Sequence, residues 1–219
     1  MTFMVEVPKT EEDFFQMAEV RSLAFGTNQV YIDMLFPHHN TPSGRLKLRD
    51  RLLKIKELPS ARFAVVRDSE TGKIISQAEW HFYPKESVGD VMDLAFVEGT
   101  EEDKEYARHV VGTFQAKRRE AIAQTSVPLM LLDSLTTDPA YQRRGAASML
   151  VKWGLEMADS LNGEAYLEAT EFGKPVYKKL DFKVLGYYVV PVPPKWSNRP
   201  PIECYLMRRP AVKKSIVEA

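Results

Sequence analysis

The sequence predicts a mixed α/β domain, in which one mixed sheet carries helices on both of its faces. Three observations lead to this fold class. Segments with strand alternation and segments with helical spacing are interspersed along the chain, a hairpin occurs early, and a strand–helix–strand unit occurs late. The chain has 219 residues, 44% hydrophobic and 27% charged, so it can bury a substantial core.

The N-terminal elements are a strand and two helices. Residues 3–7 alternate as a strand does, and residues 8–26 show helical spacing. Thr10 is a candidate N-cap before an acidic first turn, and Gly26 ends the helix. The positions at helical spacing are Phe14, Met17, Ala18, Arg21 and Phe25. Residues 31–44 are predicted to be irregular, and residues 43–60 are predicted to form the second helix.

The middle of the chain is a hairpin followed by a long helix. Residues 62–68 and 73–84 flank a turn with Gly72, which is typical of two paired strands. Residues 101–125 begin with acidic side chains and continue with basic ones, an order that suits the helix dipole. Their apolar stripe consists of Tyr106, Val110, Phe114 and Ala121.

The C-terminal part is predicted to hold four strands. A strongly apolar strand comes first, and a stiff Pro-rich loop joins the last two strands. The elements are strand 128–137, helix 146–162, strand 164–170, helix 174–180, and strands 184–192 and 202–209. No repeat or linker divides the chain. We therefore expect one domain over residues 1–210 and a flexible tail over residues 211–219.

Composition and charge exclude several classes of function. Thirty basic residues balance thirty acidic ones, whereas a general nucleic-acid binder needs a basic surplus. Cys204 is the single cysteine, so an internal disulfide is impossible, and we expect this thiol to be buried in a strand. Neither a secretory signal nor an apolar run of membrane-spanning length is present in the sequence. We expect a cytoplasmic protein that binds neither nucleic acid nor membrane.

The stretch DPAYQRRGAASML, residues 138–150, connects an apolar strand to a helix. A helix start leaves backbone N–H groups unpaired, and small residues there let an anion approach them. Gly145 and the two alanines after it supply that openness, while Arg143 and Arg144 supply positive charge. The glycine spacings of a P-loop and of a dinucleotide-binding turn are both absent. Local features alone leave a pyrophosphate site and a plain helix start equally open.

The residues Gln142-Arg143-Arg144-Gly145-Ala146-Ala147 match the Q/R-x-x-G-x-G/A motif of the GNAT acyl-CoA N-acyltransferase superfamily. Residues 135–159 resemble that family's fourth strand, pyrophosphate loop and third long helix. Residues 165–182 resemble its fifth strand and the helix that ends in Y-x-K-x-G-F, and they are similar to GNAT proteins abundant in fungi. The resemblance covers most of the chain and is most specific over residues 129–189. It implies a GNAT-like, mainly antiparallel central sheet of about seven strands.

The resemblance implies acyl transfer from acetyl-CoA to a primary amine of a small molecule, directly in a ternary complex. The family binds the cofactor with its loop and with the backbone of the preceding strand, which also serves the oxyanion, and it uses a tyrosine as general acid for the thiolate. Tyr177 matches that tyrosine, and a phenol is protonated at neutral pH. The implied coenzyme A-binding residues are Leu135, Thr136, Thr137, Gln142, Arg143, Arg144, Gly145, Ala146, Ala147, Thr170, Lys174 and Tyr177.

Two positions depart from the family pattern. Asp181 stands where the family has a glycine after a helix, a position that often needs positive φ and that Asp tolerates better than most residues. Thr170 replaces an Asn that commonly contacts pantetheine, which puts that contact in doubt.

Two carboxylates are candidates for the general base. The amine has a pKa near ~10, so a base or a water chain must accept its proton. Glu79 lies on the third strand, and Asp133 lies on the fourth. Strand alternation places Asp133 on the same face as Leu135 and Thr137. A structural hydrogen bond is an alternative explanation for Asp133 in so apolar a strand.

Histidines and aromatic side chains complete the candidates for the acceptor side. His38 and His39 follow the first helix, where the family places a loop over the acceptor. They either line the pocket or are exposed, and no third ligand completes a metal site. Trp80, Phe82 and Tyr83 form either an aromatic wall or simple core. A non-catalytic acyl-CoA-binding protein remains the alternative function, and the chain is either a monomer or a homodimer.

Overall fold

A seven-stranded sheet runs through the computed structural model, which describes residues 2–26, 29–87, 89, 92 and 94–212. The strands are β1 Phe3–Glu6, β2 Ala61–Asp68, β3 Ile74–Tyr83, β4 Leu129–Thr137, β5 Glu164–Ala169, β6 Lys183–Val189 and β7 Glu203–Arg209. Their order is β1-β2-β3-β4-β5-β7-β6. Every neighbouring pair is antiparallel except β4 and β5, which are parallel. The predicted mixed, mainly antiparallel sheet is therefore confirmed.

Six α-helices accompany the sheet in the described part of the chain. They are α1 Glu11–Phe25, α2 Val30–Leu35, α3 Pro42–Lys56, α4 Glu101–Ala123, α5 Ala146–Ser160 and α6 Lys174–Lys178. The side chain of Thr10 accepts a hydrogen bond from the backbone of Asp13, which confirms the predicted cap. The prediction that residues 31–44 are irregular was wrong in part, because α2 occupies residues 30–35 and α3 begins at Pro42.

Helices cover both faces of the sheet, and each face has its own core. Helix α5 packs on one face, where Trp80 of β3 is fully buried. A Cβ added to Gly154 of α5 would lie 2.2 Å from Trp80, so only glycine allows this approach. Helices α1, α3 and α4 pack on the opposite face against alternate residues of the same strands. Because successive side chains of a strand point to opposite faces, the two faces of the sheet carry different sets of residues.

The C-terminal segments close the molecule next to α4. The Pro-rich loop contains a short 3₁₀ turn whose Trp196 packs on Tyr106 at 5.3 Å between ring centroids. Cys204 is buried in β7, as predicted. Asp181 has φ of 66°, so the positive φ expected at the end of α6 is confirmed. The predicted tail is described only at residues 211 and 212, and residues 213–219 lie outside the described residues. No helix among the described residues has the length and apolar character needed to span a bilayer.

Candidate functional site

The turn after β4 is built from local hydrogen bonds. The backbone N–H of Asp138 donates to the carbonyl of Ile75 at 2.9 Å, and its carboxylate accepts from the N–H of Ala140. A single 3₁₀ turn follows at Pro139–Tyr141. The amide of Gln142 then reaches back to the carbonyl of Thr137 at 3.4 Å. These bonds hold the end of β4 and the start of α5 side by side.

Helix α5 begins without a side-chain cap. Arg143 and Gly145 both have positive φ, 61° and 93°, and Gly145 occupies the N-cap position. The first backbone N–H groups of a helix have no partner within the helix, and the helix dipole favours an anion there. The residues 143–145 are exposed, and the guanidinium of Arg144 lies 5.3 Å from the ring of Tyr141. The predicted phosphate-binding loop therefore has the open donors and the charge that a pyrophosphate needs.

Strands β4 and β5 separate next to this loop. Their pairing ends at Leu132 and Leu167, although β4 continues to Thr137. On its other side, β4 stays paired with β3 as far as Thr137. The edge of Leu135, Thr136 and Thr137 that faces β5 thus has no strand ladder. An extended chain with amide groups, such as pantetheine, fits this open edge because it can form ladder hydrogen bonds there.

Tyr177 of α6 lies in the same core cluster as Ala146, and Leu135 packs against that cluster. Its ring meets Phe182 at 5.9 Å, and burial raises the pKa of its hydroxyl, which keeps it protonated at neutral pH. Among the described residues, its hydroxyl makes no hydrogen bond. The structure therefore brings the predicted acid together with the predicted loop and strand. An unpaired phenol hydroxyl is a donor that is available to an acceptor.

Thr170 and Lys174, the other two predicted cofactor residues, are engaged in local contacts. The Thr170 hydroxyl accepts the N–H of Gly173 at 3.1 Å. Lys174 pairs with Glu171 at 2.8 Å, and its ammonium stands 3.6 Å from the ring centroid of Tyr205. Thr170 thus stabilises the turn before α6, which gives its hydroxyl a role of its own.

Asp133 lies on the opposite face from Leu135 and Thr137, so the prediction of a shared face was wrong. A β-bulge causes this change, because Ser134 pairs with Glu79 while Leu132 pairs with Trp80. Asp133 is the extra residue of the bulge, and it shifts the alternation of everything that follows it. Leu135 consequently packs toward α5, whereas Asp133 meets Arg118 of α4.

Arg118 joins the two strands where they separate. Its guanidinium pairs with Asp133 of β4 and also with Glu168 of β5 at 3.0 Å. These two negative charges raise the pKa of Arg118 although its burial acts to lower it. Arg118 is not among the functional residues predicted from the sequence, yet a signal was present. It lies at helical spacing between the buried Phe114 and Ala121, and a cation on an apolar stripe indicates a buried partner.

Glu79 is 2% exposed and is held by two partners. Arg21 of α1 donates to it at 2.9 Å, and His81 lies 3.1 Å from its other oxygen. Burial acts to raise the pKa of Glu79, but the hydrogen bond with His81 and the charge of Arg21 lower it to about 2. Arg21 stood in the predicted apolar stripe of the first helix, which was the available signal for this pair.

Glu79 and Asp133 line one pocket on the face of α3 and α4. The pocket also receives Arg118, His81 and Tyr83, with side chains from both helices. Of the three aromatic residues proposed as an acceptor wall, only Tyr83 lines it, because Trp80 and Phe82 face α5. Through Asp133, the extra residue of the bulge, the pocket reaches β4 from the side opposite the loop.

The two loop histidines lie outside this pocket. His38 is exposed, whereas His39 is 2% exposed and contacts the hydroxyl of Ser22 at 3.0 Å and Asp33 at 3.2 Å. His39 thus ties α1 to α2. In the described part of the chain, no group of three potential ligands has the arrangement of a metal site.

Comparison with known proteins finds the acetyltransferase (GNAT) family over residues 52–182. An acetyltransferase of Stachybotrys chartarum is 31% identical over 62 residues, which are 28% of this chain and 27% of that protein. The probable acyltransferase SID5 of Ajellomyces capsulatus is 36% identical over 56 residues, 26% of this chain and 41% of that protein. The match thus spans less than half the length of each of these relatives.

Solved acetyltransferase structures have a similar fold over nearly the whole chain. A histone acetyltransferase HPA2 and related acetyltransferase from Corynebacterium glutamicum has a TM-score of 0.61 at 22% identity, covering 99% of this chain and 100% of that one. A mosquito arylalkylamine N-acetyltransferase like 5b has a TM-score of 0.62 at 13% identity, with coverage of 95% and 99%. A Sinorhizobium meliloti phosphinothricin acetyltransferase, solved with acetyl-CoA, has a TM-score of 0.57 at 12% identity. The match covers 99% of this chain and 95% of that one.

Proposed function

Because this chain belongs to the acetyltransferase (GNAT) family, we propose that it transfers an acetyl group from acetyl-CoA to the primary amine of a small molecule. The observation that carries the proposal is the gap between β4 and β5, which has an uncapped helix start at one end and a protonated tyrosine beside it. The transfer takes place directly, with donor and acceptor bound on opposite faces of the sheet.

The donor is held by backbone groups and by two arginines. Arg143 and Arg144, with the N–H groups of residues 145–147, hold the pyrophosphate. The backbone of residues 135–137 holds the pantetheine amides, and the rigid strand orients the chain between them. Bound acetyl-CoA supplies the acetyl group as an activated thioester. Gln142 acts on the loop itself through its bond to Thr137.

Tyr177 provides the proton that the departing sulfur needs. Burial keeps its hydroxyl protonated, and the hydroxyl has no other described hydrogen-bond partner that would compete for the proton. The proton of the amine leaves toward the pocket side, where the carboxylates of Glu79 and Asp133 line the pocket. Both are already ion-paired, so a chain of waters past them is the other route by which the proton can leave.

These ion pairs also favour a second candidate, a protein that binds acyl-CoA without catalysis. A carboxylate whose pKa is lowered to about 2, as in Glu79, is a weak base. In that case the gap and loop still bind coenzyme A, and no acceptor is modified.

Two measurements test the proposal in sequence. The first is thermal unfolding with coenzyme A, where a ligand at 100 times its Kd adds about 2.7 kcal/mol of stability. The absence of any shift at millimolar coenzyme A contradicts both candidates. The second is thiol release from acetyl-CoA with a panel of primary amines. Coenzyme A binding without any turnover leaves the non-catalytic candidate.

Replacement of Tyr177 by Phe tests whether its hydroxyl acts as a general acid, because the ring that packs in the core is kept. We expect Tyr177→Phe to lower the rate of thiol release about 100-fold and to leave coenzyme A binding within about twofold, because only a proton donor is lost. The control is Tyr106→Phe, since Tyr106 is also buried but packs on Trp196, away from the gap. Equal rates for the two variants would show that Tyr177 only packs.

A further inference from the structure

In the pocket on the face of α3 and α4, the acidic and the basic side chains come from different secondary-structure elements. Among the described residues that line it, the carboxylates Glu79 and Asp133 come from the strands, whereas the arginines and lysine come from the helices. The cations are Arg51 and Lys54 of α3 and Arg118 and Arg119 of α4. The sheet side of the pocket is therefore acidic, and the helix side is basic.

Ion pairs engage both carboxylates of the acidic side and also Arg118 of the basic side. Glu79 is paired with Arg21, which lies behind the pocket, and Asp133 shares Arg118 with Glu168. Lys54 and Arg119 are exposed at the mouth, and neither makes an ion pair within the part of the chain that the structure describes. An empty pocket of this kind presents a net positive mouth to an incoming molecule.

The size of the pocket favours a small acceptor. Its accessible space is about 120 Å³, and it is partly open to solvent. Since a bound water needs roughly 10–15 Å³ in this measure, the volume holds a ligand of about ten non-hydrogen atoms. Apolar side chains of Ile55, Leu58 and Ile122 also line the pocket, which suits a ligand with an aliphatic or aromatic part.

We propose that the acceptor is an amine that carries a second, anionic group at its far end, as an ω-amino acid does. The inference rests on the proposed function, which requires the amine to reach Asp133 and the gap. The anionic group then lies at Lys54 and Arg119, and the apolar residues contact the chain between them. A diamine of the same length is disfavoured, because its second ammonium faces the like charges of Lys54 and Arg119.

Three probes of nearly equal length test this charge preference: 5-aminopentanoate, pentylamine and 1,5-diaminopentane. Their binding to the protein saturated with coenzyme A is measured by calorimetry, and their turnover by thiol release from acetyl-CoA. We expect 5-aminopentanoate to bind at least about tenfold more tightly than either other probe, the size of a charge-assisted contact. The same order is expected in kcat/KM.

The variant Lys54→Gln/Arg119→Gln removes the basic mouth, and we expect it to bring the three affinities within about twofold of one another. The matched control is Lys56→Gln/Arg108→Gln, which changes the same residue types on the same two helices outside the pocket. It should retain the preference. Equal affinities in the unaltered protein, a preference for the diamine, or no binding of any probe at millimolar concentration overturns the inference. If the charge preference fails but other amines are turned over, acetyl transfer is still supported. If the probes bind in the expected order but no thiol is released, acetyl transfer is overturned and the charge preference is kept.

Discussion

Arg21 and Glu79 form an ion pair that the protein buries almost completely. The side chains are 5% and 3% exposed, and 2.9 Å separates the guanidinium from the carboxylate. Burying two charges is costly, and the cost is offset only when both are paired and hydrogen-bonded. Gln77 and His81 supply the additional hydrogen bonds at 3.3 and 3.1 Å. The pair therefore fixes α1 on β3, directly behind the pocket.

Replacement of Glu79 by Gln should destabilise the protein in a pH-dependent way. The folded pKa of Glu79 is about 2, below its ordinary 4.5, so its contribution is fully present above pH ~4.5 and is lost as the pH falls toward ~2. We expect Glu79→Gln to cost about 3 kcal/mol near neutral pH, where Arg21 is left unpaired. The deficit should shrink as the pH approaches 2. Urea unfolding from pH 7 to pH 2.5 measures it.

The control for this prediction is Glu156→Gln, which changes an exposed carboxylate on α5. Its stability should stay within about 0.5 kcal/mol of the unaltered protein at every pH. A Glu79 deficit that is constant across the pH range would show that the effect is one of packing, because a lost ionisation must disappear on protonation.

At the scale of elements, the sequence was most informative where a pattern is local. The caps at Thr10 and Gly26, the apolar stripe of α4 and the positive φ at Asp181 all follow from a few adjacent residues. The face of Asp133 did not follow, because a bulge is defined by two strands and its partner β3 lies more than fifty residues away along the chain. The helix α2 was not predicted, because its six residues are too few to show a repeating pattern.

Replacement of Gly145 tests how the start of α5 contributes to binding of the donor. Its φ of 93° is one that side chains rarely adopt, so Gly145→Ala should cost about 1 kcal/mol. A shifted helix start should also raise the KM for acetyl-CoA several-fold, with a smaller effect on kcat, because the loop binds the donor and takes no part in proton transfer. Thermal unfolding and initial rates of thiol release measure the two effects.

Gly112 of α4 offers a matched control. An added Cβ meets nothing within 4 Å at either glycine, but Gly112 lies within a helix and lacks a positive φ. Gly112→Ala should therefore stabilise the protein by up to about 1 kcal/mol and leave the KM unchanged. If both variants behave alike, the conformation of Gly145 has no part in binding the donor.

At the scale of the whole molecule, the gap between β4 and β5 joins two faces that are otherwise separated by the sheet. The loop and Tyr177 belong to the α5 face, and the pocket belongs to the face of α3 and α4. The chain order of the elements could be predicted from the sequence, and the resemblance placed the loop between a strand and a helix. The pocket could not be predicted, since its walls come from α3, β3, α4 and β4 and meet only in the folded chain.

Hydrogen exchange should reveal this division directly. Coenzyme A bound in the gap adds hydrogen bonds to the open edge of β4 and to the start of α5, so amide exchange at residues 134–137 and 145–148 should slow by about tenfold or more. Helices α1 and α3 should be unchanged, because they contact only the opposite face. A small amine in the pocket should instead protect the segments of α3 and α4 that line it. Protection by coenzyme A confined to α3 and α4 would place the donor in the pocket and overturn the assignment of the gap, since the two ligands would then compete for one face.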